Sequence, residues 1–190
     1  MGITPQEREL VAIGIAVASG CRPCVDTAIL AAREDGASPD DIAKSISVAS
    51  DVRRAATSII EDFALRRNGA ETAETEPDPV PGNSERIEEL VSVGASFALN
   101  CVPSMQKHVD NASAIGISRE EIMEIVKLGV YLKDMAASHV EHLVSLQDTE
   151  DETNTLAEYH EPFDATSHEL CAWSNLCRLT SRKRLKAGFS

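Results

Sequence analysis

Aromatic side chains make up only 4% of the 190 residues, and stretches in which Val, Ile, Thr and aromatics alternate with polar residues are missing, which argues against a sheet-built core. The remaining composition favours helices that close on Ala, Leu, Ile and Val. Cysteine is sparse and odd in number, five in the chain, without the regular spacing of a secreted disulfide scaffold. Such usage fits a reducing compartment, and the cytoplasm is the expected location. Positive charge is short as well: 18 Lys and Arg stand against 31 Asp and Glu, a formal charge of −13. No basic stripe interleaved with aromatics occurs before the last dozen residues, so nucleic acid is not an expected partner. The apolar stretch Leu10 to Gly20, eleven residues, is too short to span a bilayer. The residues before it, Thr4 to Glu9, are acidic where a secretory leader is positive. No membrane partner is expected, and there is neither a Gly-rich phosphate loop nor a nucleophile elbow. What is present, 43% hydrophobic residues, suffices for one compact core or two small ones.

The chain repeats itself. A shift of 80 residues without a gap aligns Glu9-Leu10-Val11 with Glu89-Leu90-Val91, Gly14 with Gly94, Cys21 with Cys101, Pro23 with Pro103, Gly36 with Gly116 and Ser38 with Ser118, with 12 identities in the 50 positions from Glu7 to Ala56. The matches fall at helix punctuation and at reactive residues, as duplication requires, and two copies suit a pseudo-twofold pair. Thr4-Pro5-Gln6-Glu7, Ser38-Pro39-Asp40-Asp41 and Ser118-Arg119-Glu120-Glu121 read as capped helix starts. Gly36 and Gly116 read as left-handed helix ends. Each copy is therefore a helix, a tight break, a helix carrying cysteine, a Gly break and a long helix. Residues 1–67 and 85–147 are expected as the two repeats, with a Pro- and Gly-bearing linker over 68–84. Residues 148–190 form an acidic and then basic tail, with a helix expected over about Thr166 to Lys186 that docks through Leu170, Trp173, Leu176 and Leu179.

Cys21-Arg22-Pro23-Cys24 follows the stop signal Ser19-Gly20, and Pro23 is tolerated only in a first helical turn, so both cysteines belong at a helix N-terminus. Unpaired amides, the helix dipole and Arg22 favour a thiolate there, and the vicinal spacing suits a dithiol/disulfide couple. Zinc is the competing use. It would need two further ligands, for which Cys171, Cys177 and a histidine are the available residues. By position, Cys21, nearer the helix end, is the better thiolate. Glu9 and Glu89 lie between apolar neighbours; turned inward, they would suit proton transfer.

Glu9, then Cys21-x-x-Cys24 inside a helical repeat with these glycine breaks, resembles the alkylhydroperoxidase AhpD-like group of the carboxymuconolactone decarboxylase superfamily, whose signature is Glu followed by Cys-x-x-Cys-x-x-x-His. The resemblance covers both copies and implies an all-α fold of two AhpD-like repeats in tandem. It also implies reduction of hydroperoxides: Cys24 attacks the peroxide, Cys21 resolves the sulfenate as a disulfide, and Glu9 takes part in the proton relay. An external thiol or dithiol donor regenerates the pair, and no bound cofactor or metal is required. Each copy departs from the signature differently. In the first, the histidine position is Ala28; in the second, Glu89, Cys101 and His108 match but the second cysteine is Ser104. The alternatives within reach are a lactone-decarboxylating enzyme of the same superfamily and a non-catalytic oligomeric module with a degenerate site. Single-repeat relatives assemble through many copies, so a chain with two repeats is expected as a homo-oligomer, a six-repeat ring closing as a trimer.

Overall fold

The computed structural model describes residues 2–70 and 85–145, the last of these by its backbone alone. Among the described residues every regular element is a helix: α1 (Pro5–Ser19), α2 (Arg22–Glu34), α3 (Pro39–Arg67), α4 (Arg86–Ala98), α5 (Val102–Ala114) and α6 (Arg119–Ser145). The helix expected over Thr166 to Lys186 and most of the expected linker lie outside the described residues.

The breaks form where the punctuation residues stand. Thr4 accepts from the Glu7 amide while the Glu7 carboxylate accepts from the Thr4 amide, and Ser38 and Asp41 repeat that reciprocal cap on α3. Ser118 and Glu121 do the same for α6. Gly20 ends α1 at a φ of 74°, and Asn100, its counterpart, takes a φ of 55°. Asn is the side chain best suited to replace Gly in that left-handed conformation.

One compact unit runs through Ala136, and a second begins at Ala137. Of the second, the described residues are the end of α6. Within the first unit, α1 and α4 pack against each other at the centre, α2 and α3 pack on α1, and α5 and α3 pack on α4. Both central helices are buried on all sides, α1 from Glu9 to Ala16 and α4 from Glu89 to Ser96, as a helix at the middle of a core must be. They can approach closely because each carries a glycine at the crossing. A Cβ on Gly14 would stand 2.7 Å from Val91 Cγ1, and one on Gly94 would stand 2.9 Å from Val11 Cγ1. The duplicated glycines are thus reciprocal packing positions.

A bridge between the copies fixes their ends. Arg86, in the first turn of α4, donates from Nε to Glu7 (2.7 Å) and from Nη2 to Glu121 (2.8 Å), the capping-box acids of α1 and α6. For Glu121, the Ser118 amide and then Arg86 hold the carboxyl down at about 2. Burial alone would raise Glu7, but the bonds from Arg86 and Thr4 outweigh it and hold that carboxyl below its usual range.

Candidate functional site

Glu9 is placed one turn into α1 among Leu10, Val11 and Ala12, and its burial follows from α1 being central. The end of α1 at Gly20 then turns the chain so that Cys21 becomes the N-cap of α2 and Cys24 lies in its first turn. The two are joined by a disulfide, with Cα atoms 5.3 Å apart. Cys21 Sγ also accepts from the Cys24 amide at 3.3 Å, the bond by which a helix N-terminus stabilises a sulfur anion. Cys24 is 1% exposed and Cys21 7%. Around them lie Ala16, with Val25, Met135 and Ala136 packed against the cluster. Ala28, where the signature has histidine, is fully buried.

The second copy has the same backbone and different chemistry. Glu89 is buried at the corresponding place on α4, and His108 Nδ1 donates to Glu89 Oε2 at 3.0 Å. Asn111 Nδ2 donates to Glu89 Oε1 at 3.2 Å. Ser104, at the position of Cys24, shares a hydrogen bond of 2.8 Å with Ser96, the counterpart of Ala16. Cys101 caps α5 as Cys21 caps α2, but α5 receives no cap hydrogen bond from its side chain. It is a buried, unoxidised thiol. The sequence residues therefore separate into two constellations, Glu9 with Cys21 and Cys24 on the α1–α2 pair, and Glu89 with Cys101, Ser104 and His108 on the α4–α5 pair.

The sequence model of the carboxymuconolactone decarboxylase family matches residues 1–58 and 65–145, that is, both copies and most of the chain. The chain belongs to the carboxymuconolactone decarboxylase family. No curated protein matches it. Within this family framework the first copy keeps the paired cysteines of the AhpD-like signature and the second keeps the Glu–His pair. Sequence reasoning missed Ser96 and Asn111. The signal was available in the 80-residue shift: both are polar where the first copy has alanine, Ala16 and Ala31, and a polar residue replacing a buried alanine implies a buried partner.

Proposed function

We propose that the protein is a thiol-dependent oxidoreductase that reduces hydroperoxides through Cys21 and Cys24. The observation that carries this reading is the vicinal disulfide at the N-terminus of α2, its outer sulfur on a backbone amide. An external thiolate meets Cys21 first, since it is the more exposed of the two residues. Attack there forms a mixed disulfide and expels Cys24 as a thiolate, and a second donor thiol releases Cys21 together with the oxidised donor. Cys24 then attacks the outer oxygen of the hydroperoxide. The O–O bond breaks, an alcohol leaves with a proton, and Cys24 is left as a sulfenic acid. Cys21, held as a thiolate by the Cys24 amide, displaces water from that sulfur and restores the disulfide. One hydroperoxide and two donor thiols become an alcohol, water and a donor disulfide. Glu9, by its place in the family signature, supplies the proton to the leaving oxygen. A reducing compartment suits the cycle, because it provides the donor.

The reading includes a closed homotrimer. Ala56, Ile59, Ile60 and Phe63 make an apolar stripe on α3 at i, i+3, i+4 and i+7. It is buried at Ala56 and more than half exposed at Ile60 and Phe63, the pattern of a face awaiting another surface. Light scattering should give a mass near three chains of 20.5 kDa, and a mass near one chain refutes the trimer.

The cycle is tested by single-turnover kinetics on the reduced chain with cumene hydroperoxide. Cys24→Ser should abolish peroxide consumption. Cys21→Ser should still consume one equivalent and then stop. A protein in which neither change matters is not a peroxidase of this kind. The buried Glu89–His108 pair favours a second reading, acid–base chemistry of the sort lactone decarboxylation needs, carried by the second copy. His108→Leu separates the two: it removes that activity and leaves peroxide consumption intact.

A further inference from the structure

A groove lies on the first copy, beside the end of α1. It has a volume of about 450 Å³ and is lined by Val17, near the end of α1, and by Arg53, Arg54, Thr57, Ser58 and Glu61 on α3. The volume is in the range of small-molecule sites. It starts next to the disulfide turn. Arg53 Nη1 donates to the Val17 carbonyl at 3.2 Å and lies 3.4 Å from where a Cβ on Gly20 would stand, one residue before Cys21.

The duplicated position shows what is particular here. Lys133 corresponds to Arg53, and its ammonium is consumed: it donates to the Phe97 carbonyl at 3.4 Å and to the Asn100 side chain, and it lies 5.0 Å from the centre of the Phe97 ring. In the first copy Phe97 is replaced by Val17 and Asn100 by Gly20, which removes both partners and leaves room. Arg53 keeps its one carbonyl contact and has no ion pair among the described residues, so most of its five N–H donors remain to be used. Arg54, which pairs with Asp51, stands where the second copy has Asp134, and Thr57 stands where it has Ala137. In a chain of net charge −13, the copy with the dithiol thus carries a second cation, Arg54, and a further hydroxyl, Thr57, where the other copy has an acid and an alanine.

We propose that this groove binds the carboxylate of a small organic acid, with Arg53 as the charged anchor and its carbon chain along Val17 towards the Cys21–Cys24 turn. Arginine presents a planar fork that matches a carboxylate. A carboxylate could reach this site on the hydroperoxide or on the thiol donor, and kinetics tells these apart. That part rests on the dithiol reading; the binding itself does not.

The first experiment is calorimetric titration of the full oxidised chain with octanoate, with octanol as the uncharged control. Octanoate should bind saturably and octanol at least about tenfold more weakly, the scale of one charge-assisted hydrogen bond. Arg53→Met should weaken octanoate by about tenfold or more, with Arg53→Lys recovering part of the loss. Because Arg53 also holds the Val17 turn, Ser58→Glu provides an independent variant: it leaves that turn untouched, adds a repelling charge to the groove wall, and should weaken octanoate as much. Lys133→Met should change nothing. Equal binding of octanoate and octanol, or octanoate binding indifferent to both Arg53→Met and Ser58→Glu, overturns the site. The second experiment compares KM for a carboxylate-bearing and an uncharged hydroperoxide, and then for a carboxylate-bearing and an uncharged dithiol. The pair whose preference disappears in Ser58→Glu names the source. If octanoate binds as described and no hydroperoxide is consumed, the groove stands and the peroxidase reading falls.

Discussion

The two copies share a backbone plan, a buried glutamate and a cysteine at the second helix start, yet they differ at four neighbouring positions. Ala16, Cys24, Ala28 and Ala31 in the first correspond to Ser96, Ser104, His108 and Asn111 in the second. Every polar member of the second set is partnered, Ser104 by Ser96 and both His108 and Asn111 by Glu89. The first set instead places Ala16 against the disulfide and has buried alanines at 28 and 31, which need no partner. Buried polar groups are tolerable only with partners, so these positions are expected to change together. A duplicated scaffold can therefore keep its helix breaks and central crossing while one copy specialises in sulfur and the other in a hydrogen-bonded carboxylate.

The sharpest way to break this comparison is to exchange the sulfurs. Cys21→Ser or Cys24→Ser should remove catalytic turnover of hydroperoxide altogether, and Cys101→Ser should leave it at the wild-type rate in a coupled donor-oxidation assay. Next in size is the transfer of the histidine. If general-base help is what the first copy lacks, Ala28→His should raise the rate of peroxide reduction, up to about 10²-fold, the lower end of the usual contribution. Its unfolding midpoint should fall, because Ala28 is fully buried and overpacking costs about 1–3 kcal/mol. An unchanged rate in a folded variant would place the proton transfer elsewhere.

Smaller effects sharpen the symmetry. His108→Leu should cost about 1–3 kcal/mol in urea unfolding, since it leaves the buried Glu89 with one fewer donor. The equivalent change of Ala28 to Leu deprives no carboxylate of a donor on α2 and costs only its overpacking. Gly14→Ala and Gly94→Ala should each destabilise by about 1–3 kcal/mol and by similar amounts, because their Cβ atoms would meet Val91 and Val11 at nearly equal distances. A large inequality would mean that the central crossing is not reciprocal. The smallest effect is in acid. Glu121 and Glu7 titrate below the ordinary 4.5 of a glutamate in the folded chain, so their contribution is complete above that pH and is lost as pH falls towards 2. Arg86→Met should flatten this acid limb in stability-versus-pH measurements.

Much of this was legible in the sequence. Thr4, Gly20, Gly36 and Ser38, the last two repeated 80 residues on as Gly116 and Ser118, mark the helix breaks through local chemistry, and local chemistry is what a sequence displays directly. The disulfide was legible because its members are three residues apart at one helix start. The bridge by Arg86 was not. It joins acids 79 and 35 residues away, and nothing near Arg86 announces them until α4 is laid against α1. The groove at Arg53 was hidden for a related reason, because its distinctness comes from what Phe97 and Asn100 do to Lys133, a contact between helices.

Mapping thiols after mild oxidation shows whether oxidation chemistry belongs to the first copy alone. The fully reduced chain is treated with one equivalent of hydroperoxide, alkylated and analysed by peptide mass spectrometry. The expected result is the loss of two thiols as a Cys21–Cys24 link, reversed by dithiothreitol, with Cys101 still alkylated. Oxidation that starts at Cys101, or is dominated by Cys171 or Cys177, would contradict it.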